Sequence, residues 1–211
     1  MAQKVNILGA KIDKINFLGN THYSSSDLQD EIMSKESRWY RIFSSAESFD
    51  REKMNYDQEL LRRFYNKHGY ADFTVLSAIA ELSRDKTSFV LTFTIDEGKR
   101  YKINDIKINS SVSDIDPNQW YEHVSFNVDD WYNAEEVENT VNALTEELSR
   151  KGFVFVEVVP NIHKDRETGK LSVVFDINEN AKVLKEVVKS INEKMKVPCT
   201  GCRYCMPCPR K

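Results

Sequence analysis

Apolar and polar residues alternate, with one slip, along Ile12-Asp-Lys-Ile-Asn-Phe17, and the run ends in Gly19-Asn20. That is the mark of a short half-buried strand delivered into a turn. Tyr101-Lys-Ile-Asn-Asp-Ile-Lys-Ile108 restates the pattern and ends in Asn109-Ser110. After the first strand, Ser24-Ser-Ser-Asp27 offers a helix cap, and Leu28, Ile32 and Met33 are spaced to one face of a short helix. After the second strand, Asp116-Pro117 opens the counterpart, with Trp120, Tyr121 and Val124 as its face; proline suits a first helical turn. A longer helix follows in each copy. Asp50 opens one carrying Met54, Leu60, Leu61, Phe64 and Tyr65, and Asn133 opens the other with Val137, Val141, Leu144 and Leu148. Both stop at a glycine, in Tyr65-Asn-Lys-His-Gly69-Tyr70 and Leu148-Ser-Arg-Lys-Gly152-Phe153. There glycine takes the left-handed cap and a basic residue complements the helix dipole.

Each Gly-aromatic junction leads into two β-rich runs, Phe73 to Ala80 with Thr87 to Ile95, and Val154 to Ile162 with Lys170 to Ile177. Polar links at Ser83-Arg-Asp-Lys86 and Lys164-Asp-Arg-Glu-Thr-Gly169 make these hairpins. The order β-α-α-β-β therefore occurs twice. A single α+β domain with accidental symmetry is the alternative, but five elements and the junction recurring in order favour a repeat. The expected fold class is α+β: two tandem modules, residues 12–98 and 99–180, each a three-stranded sheet with two helices on one face. Residues 1–11 form a leader, and residues 181–211 a helical, cysteine-rich tail. The third strand of each module is the most continuously apolar, which places it centrally and leaves the first and second strands as edges. Lys99 to Tyr101 leaves almost no linker, so the hinge between modules is restricted.

Composition narrows the function. Of 211 residues, 40% are hydrophobic and 30% charged, with a net charge of −3, the profile of a folded globular chain. Lys and Arg are interspersed with Asp and Glu, so no basic stripe is available for a phosphate backbone and no nucleic acid is expected. The apolar patch at Val5 to Leu8 is too short for a signal peptide, and no run is long enough for a membrane-spanning helix. Membrane association would have to come from a barrel outside this sequence. His22, His68, His123 and His163 sit in four different elements, and Asp129-Asp130 and Glu135-Glu136 read as a solvated helix approach. With no nucleotide-binding, hydrolase or metalloprotease motif, the chain is expected not to be an enzyme and its modules to need no cofactor.

Ile12-Asp-Lys-Ile-Asn-Phe-Leu-Gly-Asn20, the helix from Asp50 to Tyr65, His68-Gly-Tyr-Ala71 and Phe93-Thr-Ile-Asp-Glu-Gly98 together resemble the POTRA repeat of the BamA family of outer-membrane assembly factors. Trp39-Tyr40 is similar to a middle repeat of that family, and the second module to the repeat that follows it. The second match is looser: Asn109-Ser110 stands where Gly-Asn is usual, Phe153 replaces a tyrosine, and Glu179-Asn180 replaces Glu-Gly. The resemblance implies a periplasmic scaffold beside the outer membrane. Its partners would be unfolded outer-membrane proteins, assembly lipoproteins and neighbouring POTRA modules, bound partly by adding a strand to a sheet edge. An unpaired edge offers donors and acceptors to almost any extended peptide. The candidate peptide-binding residues are Phe73, Val75 and Ser77 in one module and Val154, Val156 and Val158 in the other, against the plainer reading that these strands only pack the core.

The tail has another character. Val183 to Ile191 is an amphipathic helical stretch, followed by Cys199, Cys202, Cys205 and Cys208, each three residues from the next and closed by Pro209. Four closely spaced thiolates suit a 4Fe-4S cluster or zinc, and the segment resembles the C-terminal cluster segment of iron-sulfur aldo/keto reductases. Paired disulfides and an unstructured reactive tail are the other readings. An oxidoreductase fragment joined to the modules near residues 180 to 184 is the alternative function.

Overall fold

The computed structural model describes residues 11–37, 49–84, 87–112, 115–153, 155–179 and 189–190. The first module comprises β1 (Lys11–Leu18), α1 (Ser25–Glu31), α2 (Arg51–Lys67), β2 (Thr74–Leu82) and β3 (Ser88–Asp96). The second comprises β4 (Lys102–Ser110), a 3-10 helix (Pro117–His123), α3 (Ala134–Arg150), β5 (Val156–Asp165) and β6 (Lys170–Glu179). Each body has its own three-stranded sheet, ordered β1-β3-β2 and β4-β6-β5. The strand expected in the centre is there, parallel to the first strand and antiparallel to the second.

The repeat is a repeat of physical roles. Asp50 and Asn133 each accept from the main-chain N–H two residues on, at 2.9 and 3.0 Å, and so cap α2 and α3. Four buried positions then recur at the same spacing: Met54, Asp57, Leu61 and Tyr65 in α2, and Val137, Thr140, Leu144 and Leu148 in α3. These faces lie on separate cores, one built around Leu91 and Phe93, the other around Val173 and Phe175. Even the irregularities match, since β1 and β4 each shift register after their first isoleucine, Ile12 or Ile103.

Several expectations need correction. The first helix of the second module is 3-10 rather than α: Trp120 is buried, but Tyr121 turns outward and its hydroxyl accepts from Ile108 N at 3.2 Å. In the first module α1 ends at Glu31, so Ile32 is buried beyond the helix while Met33 is exposed. Ser110, not Asn109, stands at the place of Gly19, because β4 continues through Ser110, which pairs with Ile177. The tail cysteines, Trp39-Tyr40 and Val154 lie outside the described residues.

Gly19 has φ +92°, and a Cβ there would come 2.1 Å from the carbonyl oxygen of Ile95. Gly152 has φ +96° but nothing within 4 Å of that position. Gly152→Ala therefore carries only the backbone strain of a left-handed alanine, about 1 kcal/mol. Gly19→Ala adds a main-chain collision and is expected to cost roughly twice that or more. Urea unfolding of the two variants side by side checks the ordering.

Candidate functional site

A three-stranded sheet has two edges, and here the two are treated differently. Along β1, Ser37 N donates to Ile12 O at 2.7 Å and the Glu36 carboxylate accepts from Ile15 N at 2.9 Å. Gln29 Nε2 donates to Ile15 O at 3.2 Å. Along β4, Ile103 N donates to Asp130 O, Asp129 N to Ile103 O and Tyr132 N to Tyr101 O, at 2.8 to 3.0 Å. The first part of each first-strand edge is thus covered by its own chain. Among the described residues, no main-chain partner lies on the outer side of β2 or β5.

Register shows which groups β2 leaves unpaired. Ser83 N donates to Ser88 O at 2.8 Å, so Ser88 and the alternate residues Val90, Thr92 and Thr94 turn their polar groups toward β2. Their partners Glu81, Ile79 and Ser77 complete that ladder, which leaves the N–H and C=O groups of Val75, Ala78, Ala80 and Leu82 facing outward. The side chains of these four pack against the helix-side core. On the opposite, open face, Leu76 is 62% and Ile79 50% exposed; Leu76 is the extra residue at a register shift between Val75 and Ser77.

The expected edge residues separate accordingly. Val75 is on the free edge, while Ser77 is engaged in the internal ladder. Phe73 is not an edge residue. It precedes β2, is 5% exposed and stacks on Tyr65 at 4.2 Å between ring centroids. Val156 and Val158 lie on β5, where Val158 is buried by its side chain. Sequence reasoning passed over Leu76 and Ile79 because the bulge breaks the period-two pattern; their apolar neighbourhood from Val75 to Ala80, interrupted only by Ser77, was the available signal.

Buried carboxylates hold β2 and β3 in place at the module junction. Asp72, two residues ahead of β2, is 13% exposed by its side chain. It accepts from Tyr101 Oη at 2.6 Å, Lys164 Nζ at 2.6 Å and Arg166 Nε at 3.2 Å, all from the second module. Burial alone would raise its pKa, but hydrogen bonds from Lys164, Tyr101 and Arg166 and the charge of Lys164 outweigh that and hold it at about 2. Burial, together with the same contact to Asp72, pushes the Tyr101 phenol up to about 12. Tyr101 N also donates to Gly69 O at 2.9 Å, Lys67 pairs with Glu135 at 2.6 Å, and the Arg100 guanidinium lies 4.1 Å over the Trp131 ring.

Glu97, just past β3, is 4% exposed by its side chain. It accepts from Thr21 N at 3.0 Å, His22 N at 3.1 Å and Tyr65 Oη at 2.9 Å, and its carboxylate also meets the Thr21 hydroxyl and His22 Nδ1. Burial again opposes ionisation, and these donors outweigh it, placing Glu97 at about 2. His22 thus does have a partner, but the carboxylate is saturated by the turn after β1 and serves as an anchor. In the second module Glu179 occupies the equivalent place on β6 and is exposed. Among the described residues no group of three or more His, Cys, Asp or Glu could hold a metal.

Both carboxyls titrate below their usual values of 3.8 and 4.5. Their stabilisation is therefore fully present above about pH 4.5 and is lost as pH falls through about 2. At about 1.36 kcal/mol per pKa unit, Asp72 contributes roughly 2 and Glu97 roughly 3 kcal/mol at neutral pH. Asp72→Asn and Glu97→Gln should each flatten the fall in unfolding free energy between pH 5 and pH 2, as measured by urea titration at fixed ionic strength.

The POTRA family model, described as surface antigen variable number repeat, matches residues 10–98 and again 101–180. The outer membrane protein assembly factor BamA of Neorickettsia risticii is 31% identical over 166 residues, covering 79% of this chain and 22% of that protein. BamA of Neisseria meningitidis serogroup B is 22% identical over 174 residues, covering 82% of this chain and 22% of its own length. The chain therefore spans about a fifth of these curated relatives. The crystal structure of Haemophilus influenzae BamA POTRA3-5 superposes with a TM-score of 0.66 at 21% identity, over 80% of this chain and 65% of that one. BamA from Haemophilus ducreyi lacking POTRA domains 1-3 gives 0.58 at 16% identity, over 80% of this chain and 29% of that one, so both share the fold. The family match stops at residue 180, ahead of the cysteines. Spanning both β-α-α-β-β bodies, it shows that the chain belongs to the POTRA family, as two tandem copies of a non-enzymatic scaffold domain.

Proposed function

We propose that this chain is a periplasmic scaffold in the assembly of outer-membrane β-barrel proteins, and that it takes an extended segment of an unfolded client onto the free edge of β2. Neighbouring POTRA modules and assembly lipoproteins are its further partners. The observation that carries the reading is the β2 edge: the outward main-chain groups of Val75, Ala78, Ala80 and Leu82, bordered by exposed Leu76 and Ile79. Main-chain pairing gives affinity without demanding one sequence, and apolar side chains beside the edge favour the apolar rows of barrel strands. The setting comes from the relatives, named as outer membrane protein assembly factors. No helix among the described residues is long and apolar enough to cross a membrane.

A photo-cross-linking residue placed at Ile79 should capture a urea-unfolded outer-membrane barrel protein diluted into buffer, whereas the same residue at Lys14 on the covered side should not. Val75→Pro removes an outward donor without touching the β3 ladder and is expected to lower Ile79 capture roughly tenfold. Equal capture at Lys14 and Ile79, or a folded Val75→Pro variant with undiminished capture, would overturn edge binding.

A further inference from the structure

The two open edges share a topology but not a chemistry. Ala78 faces Phe93 across the first sheet and Pro160 faces Phe175 across the second. Phe93 and Phe175 are equivalent places, opposite Phe17 on β1 and Ile108 on β4. Pro160 is thus the counterpart of Ala78.

The hydrogen bonds fix which way that proline points. Lys102 N donates to Gly169 O at 3.1 Å and Ser111 N to Ile177 O at 3.0 Å, so the odd-numbered residues along β6 direct their polar groups toward the β4 side. Pro160 and Val158, opposite Phe175 and Ile177, therefore form non-hydrogen-bonded pairs with β6 and direct their own backbone outward. The β5-β6 register runs through Pro160 without a shift, from Val156↔Glu179 to Asp165↔Lys170. The proline leaves the internal ladder intact and removes the central donor of the free edge, where its ring also blocks the approach of a guest carbonyl. The flanking outward positions, Val158 and Ile162, cannot replace that donor. Nothing of the kind protects β2, whose outward positions Val75, Ala78, Ala80 and Leu82 all keep their N–H groups. Proline on an exposed edge is a recognised block to edge pairing, so its presence on one strand and absence from the matched one discriminates between them.

We propose that Pro160 closes β5 to strand addition, leaving β2 as the single acceptor strand, which takes one extended, proline-free, apolar-rich polypeptide segment per molecule. The proposal rests on the scaffold reading above and specifies where and how many guests that scaffold accepts.

The test uses the full chain and a synthetic peptide of Val-Thr repeats flanked by lysines, with stoichiometry from calorimetry and location from amide hydrogen exchange. Wild type should bind one peptide and gain protection at Ala78 and Ala80, with none at Val158 or Ile162. Pro160→Ala, with Pro160→Val as a second variant, should acquire a second site within about tenfold of the first in affinity and new protection at Val158 and Ile162. Ala78→Pro should weaken binding by roughly tenfold or more while keeping its circular dichroism, because the sister module folds with proline at the matched place. Combined with Pro160→Ala, it should move the single site to β5. Two sites in wild type, or folded Pro160→Ala and Pro160→Val proteins that still bind once, would overturn the proposal. β2 protection that appears without peptide as protein concentration rises would also overturn it, making a second copy the occupant. Unchanged binding by Ala78→Pro would instead sink the edge reading itself.

Discussion

A sheet of three strands cannot satisfy its own backbone. With the last strand of each repeat in the middle, both earlier strands carry an outer row of N–H and C=O groups that must meet protein, water or a guest. This obligation explains features that otherwise look unrelated. Glu36 and Gln29 direct side chains to Ile15, and the stretch from Asp129 to Tyr132 runs beside the start of β4, tied to it by the main-chain bonds at Tyr101 and Ile103 and by the isolated bridge Lys102↔Trp131. Both devices cap the first part of a first-strand edge. The second strands lie on the far side of each sheet, and among the described residues no main-chain group meets their outer rows.

The residues that most clearly carry the family pattern are structural. Gly19 permits the chain to turn against the Ile95 carbonyl, and Glu97 gathers the donors of that same turn. They form one unit, because a turn passing so close to β3 leaves Thr21 and His22 N–H groups that need an acceptor. Where the second module lacks the glycine, the strand simply continues through Ser110, no such turn forms, and Glu179 is left in solvent. Two of the departures of the second repeat, at Asn109-Ser110 and at Glu179, therefore share one physical origin.

Much of the fold was legible because local signals agreed: caps at Asp50 and Asn133, glycine stops at Gly69 and Gly152, and a continuous apolar third strand. The site was legible only as a strand. Phe73 was misjudged because Tyr70-Ala-Asp-Phe73 contains a turn, in which Phe73 N donates to Tyr70 O and its ring is delivered to Tyr65 rather than to the edge. Leu76 and Ile79 were passed over because one inserted residue reverses the facing pattern on either side of it. The role of Asp72 could not be read at all, since its partners Lys164 and Arg166 lie more than ninety positions away and come within reach only when two modules meet.

The placement of Asp72 connects the edge to the junction. It is two residues ahead of β2, while Lys164 belongs to β5 and Arg166 to the turn that follows. The start of the open edge is thus tied to the second module by three charge-assisted contacts on one buried carboxylate, and a segment added along β2 would extend from a fixed point rather than from a loose tether. Lys164 also donates to Ala71 O at 3.1 Å, so the end of β5 is drawn toward the beginning of β2. Two unpaired edges in neighbouring modules would be a hazard, each a template for misplaced strands. A proline in the middle of one of them removes that hazard at little cost to its own sheet, since its nitrogen already faces away from the ladder.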